Sequence, residues 1–103
     1  MKVCVCMSGC FPKYWEKYAK SINKNLIKKY NADLYITCCE SDKNKINEIK
    51  NIYKPKVIKV VNNKIKLFDN KNIKTSTINM YKKIYLCDQL RQSSNINYDV
   101  IVR

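Results

Sequence analysis

The chain has no histidine, a single glycine (Gly9) and only two prolines, Pro12 and Pro55. The missing histidine excludes His-based general acid–base chemistry and His-ligated zinc. No Cys-x-x-Cys pair occurs among the six cysteines either, so a structural zinc site is not expected. With one glycine there is no Gly-x-Gly-x-x-Gly, and a dinucleotide site of that kind is disfavoured. No apolar run approaches the roughly 18 residues that span a membrane. The N-terminal run is short and is soon followed by Lys13, Glu16 and Lys17, unlike a secretory signal. A cytoplasmic protein with reduced thiols, packed like small hydrophobes or lining a site, is the expectation.

Acidic residues are scarce, 8 against 21 Lys and Arg, which leaves a formal charge of +13. Such a balance draws anions, nucleotide phosphates among them. Specific nucleic-acid binding is not indicated. The excess is almost all Lys where base readout favours Arg, and it is spread along the chain rather than gathered in a patch. Lys, Asn, Ile and Tyr are abundant together, as A/T-rich codons alone would make them. At 103 residues and 46% hydrophobic content, the chain supports one domain, residues 1–103, with one core.

The first apolar run, Val3 to Gly9, reads as a buried strand with β-branched Val3 and Val5 and small cysteines between them. Cys4 and Cys6 share one of its faces. A loop, Cys10 to Lys13, leads to an amphipathic helix from Tyr14 to about Tyr30, with Trp15, Ala19, Ile22, Leu26 and Tyr30 on its apolar side. Asp33 to Cys39 reads as a second strand. Ser41 or Asp42 is a candidate N-cap for a helix from Lys43 to Tyr53, whose stripe is Ile46, Ile49 and Ile52, with Tyr53. Val57 to Val61 is a third strand. Residues 62–73 read as an exposed loop or short edge strand around Lys64 to Phe68. Thr75 to Thr77 offer caps for a last helix, about Ile78 to Ser93, with Tyr81, Ile84, Cys87 or Asp88, and Leu90 inward. Tyr98 to Val102 is a fourth strand.

Apolar strands alternating with helices predict a Rossmann-like three-layer α/β sandwich. The mostly parallel four-stranded sheet takes the order 3-2-1-4, with the first two helices on one face and the last on the other. Strand order then reverses between strands one and four. Ligands bind at such a switch point, beyond the strands' carboxyl ends, here bounded by Ser8, Gly9, Cys10 and the residues after Val102.

Val3 to Gly9, the helix ending in Asn25 to Lys28, and Tyr30 to Ile36 together resemble the start of GT-A-like nucleotide-sugar glycosyltransferases of microbes and large DNA viruses. Met80 to Leu90 and Tyr98 to Arg103 resemble that family's later helix and next strand. The resemblance implies a nucleotide-binding loop at Ser8, Gly9 and Cys10. Lys13 stands where an arginine often contacts phosphate, and Arg103 closes the Val-Ile-Arg strand end. It also implies a divalent cation such as Mn or Mg in the complete family domain, though no cofactor in this chain. The acidic segment expected beyond Arg103 and the acceptor-binding half are not in the sequence. The implied protein is thus half of a GT-A-like domain, truncated and inactive alone, and its partners would be a nucleoside diphosphate-sugar and a second copy or a missing C-terminal half. No catalytic set is expected: no Asp-x-Asp occurs, Asp33 and Asp99 start strands at the wrong end, and Asp88 reads as solvated or ion-paired. Two alternatives stand beside this reading, a small α/β interaction or dimerisation protein and a basic nucleic-acid binder.

Overall fold

Val3–Gly9 forms β1, and its first four residues are buried. β-Branched and small side chains suit a strand covered on both faces, which is what a parallel sheet requires of its central members. The computed structural model describes residues 1–61 and 75–103, so the loop or edge strand expected over 62–73 lies outside the described residues. β2 (Asp33–Cys39) is buried from Leu34 to its end. β3 (Val57–Val61) alternates exposed and covered positions as an edge strand does, and β4 (Val100–Val102) is a short opposite edge. The order is β3-β2-β1-β4, parallel throughout, with Gly9 opposite Cys38 and Val5 opposite Val102.

Period-two alternation splits the strands between two cores. On one face Val5, Leu34, Ile36 and Cys38 meet Trp15 and Ala19 of α1 (Trp15–Ile22). Ile49 and Tyr53 join them from α3 (Ile46–Tyr53). On the other face Cys4, Cys6 and Tyr35 meet Cys87 of α4 (Thr75–Ser93). The expected sandwich, with the first helices on one side and the last on the other, is therefore present.

The long first helix is not uniform. After Ile22 it widens into a π-helical turn, Asn23–Ile27, and ends in α2 (Lys28–Tyr30), capped by Asn31 in the left-handed region. A π-turn adds one residue, and so rotates the rest of the helix by about 100°. Leu26 and Ile27 both pack on the core, while Tyr30, expected inward, is exposed. The Asn23 side chain secures this turn by donating to the Ile52 carbonyl, 2.9 Å. In α3 the inward pair is Ile49 and Tyr53, and Ile52 turns out.

α4 corrects a second expectation. Cys87 and Leu90 face the sheet as expected, but Tyr81, expected inward, is 64% exposed, with Tyr85 beside it at 62%, and Lys83 is buried in its place. A small residue at the contact lets helix and sheet approach closely. The Cys87 thiol donates to the Tyr35 carbonyl at 3.2 Å, and Thr37 Oγ1 donates to the Lys83 carbonyl at 2.8 Å.

The amino ends of the strands are held by polar groups. Tyr98 Oη donates to Asp33 at 2.6 Å and lies 2.7 Å from Tyr35 Oη. Asp99 accepts the Lys2 amide at 2.7 Å and returns its own amide to the Lys2 carbonyl. Both aspartates thus brace the sheet at the end away from the crevice, as expected. Tyr98 precedes β4 rather than belonging to it.

These buried acids make the fold sensitive to base. Burial lifts the Cys4 thiol to about 11, with the neighbouring Cys6 adding to it. Burial also raises Cys38, Tyr53 and Tyr98, the last further through its bonds to Asp33 and Tyr35. A raised acid favours its protonated form in the folded state, so this stability is complete below about pH 9 and is lost as pH climbs toward 11. Cys6 acts in the opposite sense. The neighbouring Cys87 thiol holds it down to about 7, and the same pairing raises Cys87. Urea unfolding should show stability falling by about 2 kcal/mol or more between roughly pH 9 and 11. A flat profile there would show that these thiols and phenols do not titrate with unfolding.

Candidate functional site

β1 ends at Gly9, whose φ of +123° is open to glycine and strained for any residue with a Cβ. The backbone turns there, and Cys10 to Pro12 run across the carboxyl ends of β1 and β2 before Trp15 donates its amide to the Pro12 carbonyl, 3.1 Å, and α1 begins. A cleft of about 220 Å³ lies behind this loop. Ser8, Gly9 and Cys10 form one side, and Phe11, Trp15, Tyr18 and Tyr53 are the aromatic lining. Trp15 and Tyr53 stack with centroids 6.0 Å apart, and Phe11 meets Trp15 edge-on at 5.5 Å. Tyr18 is 62% exposed.

Two ties hold the loop to the segment after β2. Cys10 and Cys39 are joined by a disulfide, with their Cα atoms 5.0 Å apart. This corrects the expectation of six reduced thiols; Cys4, Cys6, Cys38 and Cys87 are free and buried. The sheet register explains the pairing. Gly9 stands opposite Cys38, so the next residue on each strand brings Cys10 beside Cys39. The second tie is Asp42, expected as a helix cap. It lies instead inside a 3₁₀ segment, Glu40–Lys45, with no capping bond. Its buried carboxylate accepts the Phe11 amide at 3.0 Å and has Lys45 Nζ at 3.8 Å. The two Sγ atoms and an Asp42 oxygen all lie within 4.8 Å of one another, the one such group of potential metal ligands among the described residues.

The other expected site residues divide. Ser8 also borders a smaller cavity of about 150 Å³ on the α4 side, with Cys6, Cys87 and Arg103. Arg103 is ion-paired there with Asp88 at 3.0 Å, and Arg91 holds the same carboxylate at 2.9 Å. The Arg91 hydrogen bond and Arg103 keep the Asp88 carboxyl below its ordinary value. Asp88 is thus the ion-paired residue it was read to be. Lys13 borders neither cavity; its ammonium lies 5.6 Å from the centre of the Tyr14 ring, which Lys17 approaches at 5.2 Å. The structure brings Ser8, Gly9 and Cys10 together and places Lys13 and Arg103 apart.

Sequence reading missed Phe11, Cys39, Asp42 and Tyr53 as parts of this site. Only the Cys10–Cys39 pair had a readable signal, each cysteine standing at the carboxyl end of one of two neighbouring strands. Among the described residues no helix is long and apolar enough to cross a membrane. Comparison with protein-family models, with curated proteins and with solved structures found no match.

Proposed function

We propose that this chain is a nucleotide-binding domain of the glycosyltransferase-like kind, which takes a nucleoside diphosphate or its sugar ester beyond the carboxyl end of β1. The observation that carries this reading is the aromatic cleft behind the Gly9 turn, beyond the carboxyl end of β1; it opens on the α1 and α3 side and not between β1 and β4, where the strand order reverses. At about 220 Å³ it suits a nucleoside rather than a whole nucleotide-sugar, which leaves the charged diphosphate outside. Lys13 and Lys17, on the loop and helix that border the cleft, supply positive charge nearby, and the net charge of +13 favours the encounter. Among the described residues no pair of carboxylates borders the cleft, and Asp42 is already engaged by the Phe11 amide.

Isothermal titration with uridine and guanosine diphosphates should give a dissociation constant in the millimolar range or tighter, about −4 kcal/mol or better. Tyr18→Ala removes an exposed ring that a base would stack on, and should weaken binding roughly tenfold, in line with the ~1–3 kcal/mol of a base–aromatic contact. No heat of binding from either nucleotide, or an unchanged constant in Tyr18→Ala, would remove the nucleotide from this cleft.

A further inference from the structure

We infer that Cys10, Cys39 and Asp42 form a site for a soft divalent cation of the zinc class, opened when a small dithiol reduces the disulfide and closed when a small disulfide takes the two electrons and two protons back from the thiols. The inference does not depend on the nucleotide reading.

The geometry supplies three ligands of suitable kinds. Both sulfurs and one Asp42 oxygen already lie within 4.8 Å of one another. Tetrahedral zinc with bonds near 2.3 Å needs sulfurs about 3.8 Å apart. Breaking the disulfide lets them separate to that distance. Cys10 is exposed on a loop that can yield, while Cys39 and Asp42 are buried and stay in place. Asp42 is oriented in advance, since the Phe11 amide donates to one oxygen at 3.0 Å and Lys45 Nζ stands 3.8 Å from the other. A ligand held by an outer hydrogen bond is the usual arrangement in metal sites. The open side at Cys10 admits a water or an exogenous ligand as the fourth donor.

Charge selects the same occupant. Two thiolates and a carboxylate carry −3, and the cation with Lys45, at 3.8 Å from Asp42, carries +3. Thiolates prefer zinc-like cations to magnesium or calcium. In the oxidised chain the sulfurs carry no ionisable proton, and Asp42 alone is left. The chemistry balances with a small dithiol as reductant. Its two S–H groups become a disulfide, the Cys10–Cys39 bond accepts the two electrons, and each Sγ takes one proton. Cation binding then releases both thiol protons.

Cobalt(II) alone is the probe, titrated into the full chain after reduction and desalting. The expected result is one equivalent bound with a thiolate-to-cobalt charge-transfer band, displaced by zinc and absent from the oxidised chain. Cys10→Ser should abolish the band, and Asp42→Asn, which keeps an acceptor for the Phe11 amide, should weaken binding at least tenfold. A measurement that needs no variant is alkylation of the reduced chain, in which zinc should protect Cys10 from iodoacetamide. The inference is overturned by no band in the reduced chain at excess cobalt, by an equal band in the oxidised chain or in Cys10→Ser, by unchanged affinity in Asp42→Asn, or by alkylation of Cys10 at the same rate with zinc present.

Discussion

Reduction of the Cys10–Cys39 disulfide, in the presence of a chelator, should lower the unfolding free energy by about 3 kcal/mol. The two cysteines are 29 residues apart, and the entropy restored to the unfolded chain when a loop of that size opens is worth about 3–4 kcal/mol. For a domain of this length such a loss lowers the melting temperature by roughly 15 °C. Urea unfolding with and without a phosphine reductant measures it, and Cys10→Ser should show the reduced chain's stability whether or not reductant is added. The Asp42–Phe11 hydrogen bond limits the loss. It remains after reduction and keeps the loop near β2, so the folded state does not relax far. A change well below about 1 kcal/mol would mean that the reduced, unfolded chain already holds these segments together.

Trp15→Ala should have the largest effect of any single substitution, about 3–5 kcal/mol. The indole is 3% exposed, sits between α1 and the sheet, and touches rings from two other segments, Phe11 at 5.5 Å and Tyr53 at 6.0 Å. Truncation leaves a void beside the cleft and frees Phe11, and with it the loop that Asp42 anchors. Small domains are stable by about 5–15 kcal/mol in total, so a loss of this size exposes the variant to partial unfolding near body temperature. Circular dichroism in urea is the measurement, because the substitution removes the only tryptophan and its fluorescence. Trp15→Phe should recover more than half of the loss. A Trp15→Ala variant as stable as the parent would show that the aromatic cluster is not part of the core.

The strands and their order were legible because the sheet's interior is written in consecutive apolar residues. Val3 to Cys6 and Leu34 to Cys39 leave no other reading, and the helices between them impose parallel pairing. The Gly9 turn was legible too, since the chain's one glycine stands where the strand must end. The details that escaped depend on partners far away in sequence. Nothing within Asn23–Ile27 announces a π-turn; the Ile52 carbonyl that Asn23 reaches belongs to another helix. Asp42 has the composition of a cap, and only the position of Phe11 turns it into a brace. Tyr81 and Tyr85 look like core residues by type, yet the small Cys87 sets which side of α4 is drawn against the sheet. The candidate site was half visible for the same reason. Its floor is one contiguous stretch, Ser8 to Cys10, while its roof comes from α1 and α3.

The pairing of β1 has a consequence for how the protein is made. Val3 aligns with Val100, and Lys2 and Asp99, 97 residues apart, exchange hydrogen bonds beside them. On the ribosome, β1 can pair with β2 early, but its other edge waits for β4, which is synthesised after every other described element. Until then the nascent chain carries an open strand edge in a nearly finished sheet, the kind of surface that recruits a neighbouring polypeptide. Pairing on that side of β1 therefore waits until β4 has been made.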